Sequence, residues 1–145
     1  MNGEMGAEVT EYVLEGFAVP EQLDALHSLL AQAAEEHPEL DSMDVMLFET
    51  AIVEIANNVV KHGQPEGKVR WRFKVRVREH EIEAELDDTA QQFTPARGSA
   101  MPGENAEGGR GLPIAEALLD QLECSRMGDR NHWRMVRRLG RIPKI

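Results

Sequence analysis

The sequence predicts an α+β two-layer sandwich, a mostly antiparallel mixed sheet with helices on one face, and three observations carry that prediction. Between residues 68 and 78, Lys68, Arg70, Arg72, Lys74, Arg76 and Arg78 alternate strictly with Val69, Trp71, Phe73, Val75 and Val77, the period-two signature of a strand with one core face. After a break at Glu79 and His80, Ile82, Ala84 and Leu86 alternate with Glu81, Glu83 and Glu85, so a hairpin sets carboxylates opposite the basic row. Upstream, helical spacing replaces alternation: Leu23, Leu26, Leu30, Ala33 and Ala34 recur at three and four, and residues 51–60 are apolar nearly all round. The resulting order, β-α-α-β-β-loop-α-β-β, builds the sheet from hairpins and leaves the helices to cover one face.

Taken in order, residues 10–19 are apolar-rich and end at Pro20, which reads as an edge strand. Pro20 suits the first turn of a helix over residues 21–37, stopped by Pro38. Asp41 or Ser42 caps a second helix that runs to about His62 and closes at Gly63, with Asp44 favourably placed in its first turn. The two alternating strands follow. Residues 89–110 read as a loop, rich in Gly and Pro and poor in large apolar groups, and a loop of that length inside a compact domain is either functional or disordered. A helix is predicted from Pro113 to Leu122, with Ile114, Leu118 and Leu122 on one face, and then two strands, Leu122 to Met127 and His132 to Leu139, around a turn at Gly128 and Asp129.

The chain has 145 residues, 41% of them apolar and 29% charged, which suits one domain with a core of its own. No apolar run approaches the ~18 residues of a membrane span, and the acidic start does not resemble a signal peptide. Cys124 stands alone, so a disulfide and a cysteine-based zinc site are excluded, and a reducing cytoplasm is the expected location. The net charge of −10 is unevenly spread: residues 1–60 hold thirteen Asp and Glu and no Lys or Arg. Such a half repels nucleic acid and fits either a basic protein partner or a solubilising face. The Arg and Lys stripe at 68–78 is better explained as a charge-paired sheet face than as a nucleic-acid platform. The basic stretch from Arg126 to Lys144 is either a docking surface or the other side of the sheet.

Three clusters could carry chemistry. Glu54, Asn58 and His62, separated by four and four, share one stripe of the second helix. On an otherwise apolar helix each unpaired polar group costs about 1–3 kcal/mol, so the stripe faces either a ligand or a neighbouring helix. A carboxylate and an amide oxygen are hard donors suited to a phosphate-bound Mg²⁺, which takes only one or two protein oxygens. Asp87, Asp88 and Thr89 end a strand and lead into residues 90–95; there an acidic side chain could accept from an exocyclic amine such as that of adenine, or simply form a turn. Gly108, Gly109, Arg110, Gly111 and Leu112 precede a helix whose N-terminal N–H groups can bind phosphate. No Walker A lysine, protein-kinase catalytic loop or Gly-x-Ser-x-Gly elbow is present.

Together and in order, the clusters resemble a known set. Glu54-x-x-x-Asn58-x-x-x-His62 is similar to the N box, Asp88-x-Ala90-x-x-Phe93-x-Pro95 to the first glycine box, and Gly109-x-Gly111-Leu112 to the second, of the ATPase superfamily shared by gyrase, MutL and histidine kinases. Small size, the short loop between boxes, Phe93-x-Pro95 and the closing Trp133-Arg134-Met135-Val136-Arg137-Arg138 resemble the bacterial anti-sigma-factor serine/threonine kinases, over residues 10–140. The resemblance implies a Bergerat-type fold with ATP between the second helix, the sheet and the loop from Phe93 to Arg110. It implies that Asn58 ligates Mg²⁺, Glu54 orients or deprotonates the attacking hydroxyl, Asp88 binds the adenine amine, and Gly109 and Gly111 cradle phosphate. Arg110 is assigned a phosphate contact on its position alone.

Implied partners are a STAS-type anti-anti-sigma protein, phosphorylated on Ser or Thr, and a sigma factor held inactive, with a homodimer allowed and neither nucleic acid nor membrane bound. One position departs from the pattern: Ala90 stands where the family's first box has glycine, adding a methyl where the backbone nears the base and resisting positive φ. That departure favours the alternative of a non-catalytic or weakly ATP-binding adaptor that binds a protein partner. An excised histidine-kinase domain fits less well, because no helix with a phospho-accepting histidine precedes the ATP-binding region.

Overall fold

The computed structural model describes residues 9–93 and 106–140, of which 106–111 by their backbone. It contains β1 (Thr10–Phe17), α1 (Pro20–Glu36), α2 (Ser42–His62), β2 (Arg70–Val77), β3 (Glu81–Asp88), α3 (Ala106–Leu118), β4 (Gln121–Met127) and β5 (Arg130–Arg138). The strands form one sheet in the order β1-β2-β3-β5-β4, and each of its pairings is antiparallel. This is the predicted α+β sandwich, without a parallel pair among the described strands.

Alternation decides which side of the sheet is covered. Trp71, Phe73, Val75 and Val77 of β2 and Ile82, Ala84 and Leu86 of β3 share one core with Leu26, Leu30 and Ala33 of α1 and Phe48, Ile52, Ile55 and Val59 of α2. The opposite face is ionic. Arg76 donates to Glu11 at 2.8 Å, Arg72 pairs with Glu15 at 3.1 Å, and Arg134 donates to Glu83 at 2.8 Å. Glu83 is buried beneath Arg76, Arg78 and Arg134, although it stands on the outer face. Burial, the largest influence, opposes the Arg76 charge; the bond to Glu11 and the charges of Glu85, Glu11 and Glu83 outweigh it and raise the Arg76 pKa. The basic stripe is therefore charge-paired at Arg72, Arg76 and Arg78, and the acidic strand β1 supplies partners alongside β3.

The boundaries of the helices follow their caps. Pro20 opens α1, and the Asp41 carboxylate accepts the Met43 N–H at 2.7 Å to cap α2. Gly63 ends α2 with φ −70°, not a left-handed conformation; its need for glycine is spatial, since a Cβ there would lie 2.6 Å from the Val59 carbonyl oxygen.

The third helix differs from its sequence reading. It starts at Ala106 and ends at Leu118, so Pro113 lies inside it and Leu122 belongs to β4. Three glycines and a proline oppose helix formation locally, the proline by removing the N–H that would bond the Gly109 carbonyl. Packing of α3 against α2 overrides that preference, with Ala115 fully buried. The predicted loop therefore stops before residue 106, and Pro95 lies outside the described residues.

Candidate nucleotide site

The C-terminal end of α2 lies against the segment that follows β3. A Cβ at Gly63 would stand 3.4 Å from the Ala90 methyl, and the Gln91 N–H donates to the Gln64 carbonyl at 3.1 Å. Asn58 lies five residues earlier, about 7.5 Å back along the helix axis at 1.5 Å per residue. The end of α2 and the segment after β3 are thus neighbours, while none of Glu54, Asn58 and Asp88 lines the depression beside them.

Glu54 and Asn58 are half-buried on a helix whose remaining inward positions are core. Neither makes a hydrogen bond or ion pair with a described residue. His62 is exposed in the last turn of α2. Among the described residues no three His, Cys, Asp or Glu side chains gather as a self-sufficient metal site. A metal brought with phosphate needs fewer, and the amide oxygen of Asn58 beside the Glu54 carboxylate fits that demand.

At the other end the chemistry is closed. Asp88 is 1% exposed at the end of β3, on the core face. Its Oδ1 accepts from the Ala90 N–H at 3.0 Å and from Asn131 Nδ2 at 2.8 Å, and its Oδ2 accepts from the Trp133 indole Nε1 at 2.9 Å. Asn131, directly across from Asp88 in the β3–β5 register, accepts the Phe93 N–H through Oδ1 at 2.9 Å and donates to the Gln91 carbonyl at 3.0 Å. Arg126 Nη1 donates to the Ala90 carbonyl at 2.9 Å. The Phe93 ring lies 4.8 Å from that of Trp133, tilted by 48°. A shallow depression of about 520 Å³, lined by Gln64, Ala90, Gln91 and Arg126 among others, opens beside this cluster, but Asp88 does not line it. As placed, the metal end fits a phosphate-bound cation, whereas the base end does not expose its carboxylate to an adenine amine.

The neighbours of Asp88 bear its mark. Burial first, then the Asp88 charge, push the Cys124 thiol up to about 12, against the pull of Arg126. Asp87 points to the outer face and receives His132 at 2.8 Å, and Thr89 Oγ1 accepts the Arg70 N–H at 2.9 Å, so both serve the sheet.

Ala90 has a negative φ, since no residue other than glycine has a positive one among those described, and it is 5% exposed. The feared backbone strain is therefore absent: this turn demands no left-handed residue, and the methyl packs in the core. Gly109, Arg110 and Gly111 are helical in backbone rather than in a loop ahead of the helix. With α3 beginning at Ala106, its free N–H groups end at Gly108, so they include neither Gly109 nor Gly111. Leu112 is half-buried against the core. Asn131, Trp133 and Arg126 were not singled out as base-end residues by sequence reading. A signal was present: Asn131 falls on the apolar face of β5, where an amide needs a buried partner.

These features define a class of protein. The chain belongs to the histidine kinase-like ATPase domain family, whose model matches residues 17–137. That membership makes it an ATP-binding, kinase-like ATPase domain. No curated protein matches the chain significantly. No described helix is long and apolar enough to cross a membrane.

Proposed function

We propose that this chain is an ATP- and Mg²⁺-dependent serine/threonine protein kinase that acts as an anti-sigma regulatory factor and phosphorylates a STAS-type anti-anti-sigma partner. The observation that carries the reading is the pair Glu54 and Asn58, one turn apart, half-buried and without a described protein partner. Binding of a nucleotide alone does not require both.

Bound Mg-ATP supplies the phosphoryl group and its charge-neutralising cation. Asn58 would hold the metal through its amide oxygen. Glu54 orients the partner's Ser or Thr hydroxyl and takes its proton as the oxygen bonds to phosphorus and ADP departs. Asp88 would select the base, and the start of α3, the helix that carries Gly109, Arg110, Gly111 and Leu112, would meet the phosphates. Catalysis of this kind is positioning and electrostatics, so a carboxylate, an amide and backbone donors suffice. The acidic first half and the ion-paired outer face leave partner docking to protein surfaces rather than nucleic acid.

Incubation with labelled ATP, Mg²⁺ and the anti-anti-sigma protein is expected to label one Ser or Thr, with Glu54→Gln slower by about 10²-fold or more. ATP binding without transfer in the wild type would instead favour the second reading, a partner-binding adaptor that does not turn ATP over. The closure of Asp88 by Trp133 favours that reading.

A further inference from the structure

We propose that Trp133 controls entry to the base pocket: its indole N–H occupies the carboxylate acceptor that a purine amine requires, so nucleotide binds only as the indole is displaced. This rests on the nucleotide reading above and adds to it a residue that sets affinity.

A carboxylate offers about four acceptor positions. In Asp88 three are taken, by the Ala90 N–H, Asn131 Nδ2 and Trp133 Nε1. The remaining position lies on a group that is 1% exposed, and Trp133 itself is 2% exposed. An incoming amine must come within about 3 Å of a carboxylate oxygen, and on Oδ2 the indole already stands at that distance. The three donors differ in how they can yield. The Ala90 N–H is backbone, and Asn131 is held by its own bonds to the Phe93 N–H and the Gln91 carbonyl. The β5 backbone is fixed by pairing with β3 on one side and β4 on the other. Trp133 therefore yields by side-chain rotation, and its outer neighbour is the half-buried Phe93 ring.

Two consequences follow for binding. Affinity for an adenine nucleotide is lowered by the work of breaking the indole–carboxylate bond. Base choice also follows, because a carboxylate accepts but does not donate: once freed, Oδ2 accepts the adenine amine and repels the carbonyl oxygen of guanine.

The test is titration of the full chain with Mg-ADP and Mg-GDP, as wild type, Trp133→Phe and Trp133→Leu, with tryptophan emission read in parallel. Trp133→Phe keeps a ring and removes the donor, so it remains informative should the leucine variant fold poorly. Trp133→Phe is expected to bind Mg-ADP on the order of tenfold tighter than wild type, the worth of one charge-assisted hydrogen bond. Mg-GDP should gain nothing. In wild type, saturation with Mg-ADP should shift emission to longer wavelength as Trp133 leaves its buried site, and the shift should vanish in Trp133→Phe, where Trp71 alone remains. Equal or weaker Mg-ADP binding by both variants, with wild-type emission unmoved at saturation, overturns the Trp133 proposal and leaves nucleotide binding intact. Absence of binding by all three proteins overturns both.

Discussion

Arg137 donates through Nε and Nη2 to a single carboxylate oxygen of Asp44, at 3.0 and 2.9 Å, and through Nη1 to the Leu118 carbonyl at 2.7 Å. One guanidinium on the core face of β5 thus fastens the first turn of α2 and the last turn of α3. Those two helices carry the Glu54–Asn58 stripe and the glycines proposed to face phosphate, so this ion pair fixes the walls of the site.

Asp44→Ala should therefore destabilise the fold by about 3 kcal/mol, because it strands a charge whose side chain is only 10% exposed. Urea unfolding measures the loss. Replacing both partners by apolar residues, Asp44→Leu with Arg137→Met, should restore much of it, since no buried charge is then left unpaired. A single variant as stable as the wild type would show that the pair does not fasten the helices.

The single tyrosine offers a clean pH readout. Tyr12 donates to Glu36 at 2.6 Å; burial first, then that bond and the Glu36 charge, push its pKa up to about 12 from 10.0. Because the folded value is raised, the protonated phenol contributes stability fully below pH ~10, and that contribution is lost as pH rises through about 12. Absorbance at the phenolate band should titrate near 12 in the wild type and lower in Glu36→Gln. The same bond holds Glu36 below the usual carboxylate range, with Gln32 adding to it. A wild-type midpoint at the free-tyrosine value would contradict the Tyr12–Glu36 bond.

Ala90→Gly tests whether the departure from the family pattern is a defect. With an ordinary φ and a buried methyl, Ala90 suits its place, so glycine should cost about 1 to 2 kcal/mol through lost burial and added chain entropy. Thermal unfolding checks it. A more stable glycine variant would mean that the alanine strains the turn.

Much of the sheet was legible because its period is unambiguous: the alternation from Lys68 to Arg78 and from Glu81 to Leu86 has one solution, and Pro20, Asp41 and Gly63 punctuate the helices. The start of α3 was not, because Gly108, Gly109, Gly111 and Pro113 argue locally for a loop while packing on α2 decides for a helix. Glu54, Asn58 and Asp88 could be picked out by spacing and by polar character in apolar surroundings. The closure of Asp88 could not, since it depends on a cross-strand register that sets Asn131 opposite Asp88 and Trp133 one step along the same face, over forty residues away.

The central claim is that Asn58 and Asp88 serve opposite ends of one bound nucleotide. Titration of the wild-type chain with Mg-ATP to several millimolar, beside Asn58→Ala and Asp88→Asn, tests it most directly. One saturable site is predicted in the wild type, weakened at least about tenfold in each variant. Unchanged affinity in both variants, or no saturable binding by the wild type, would contradict it.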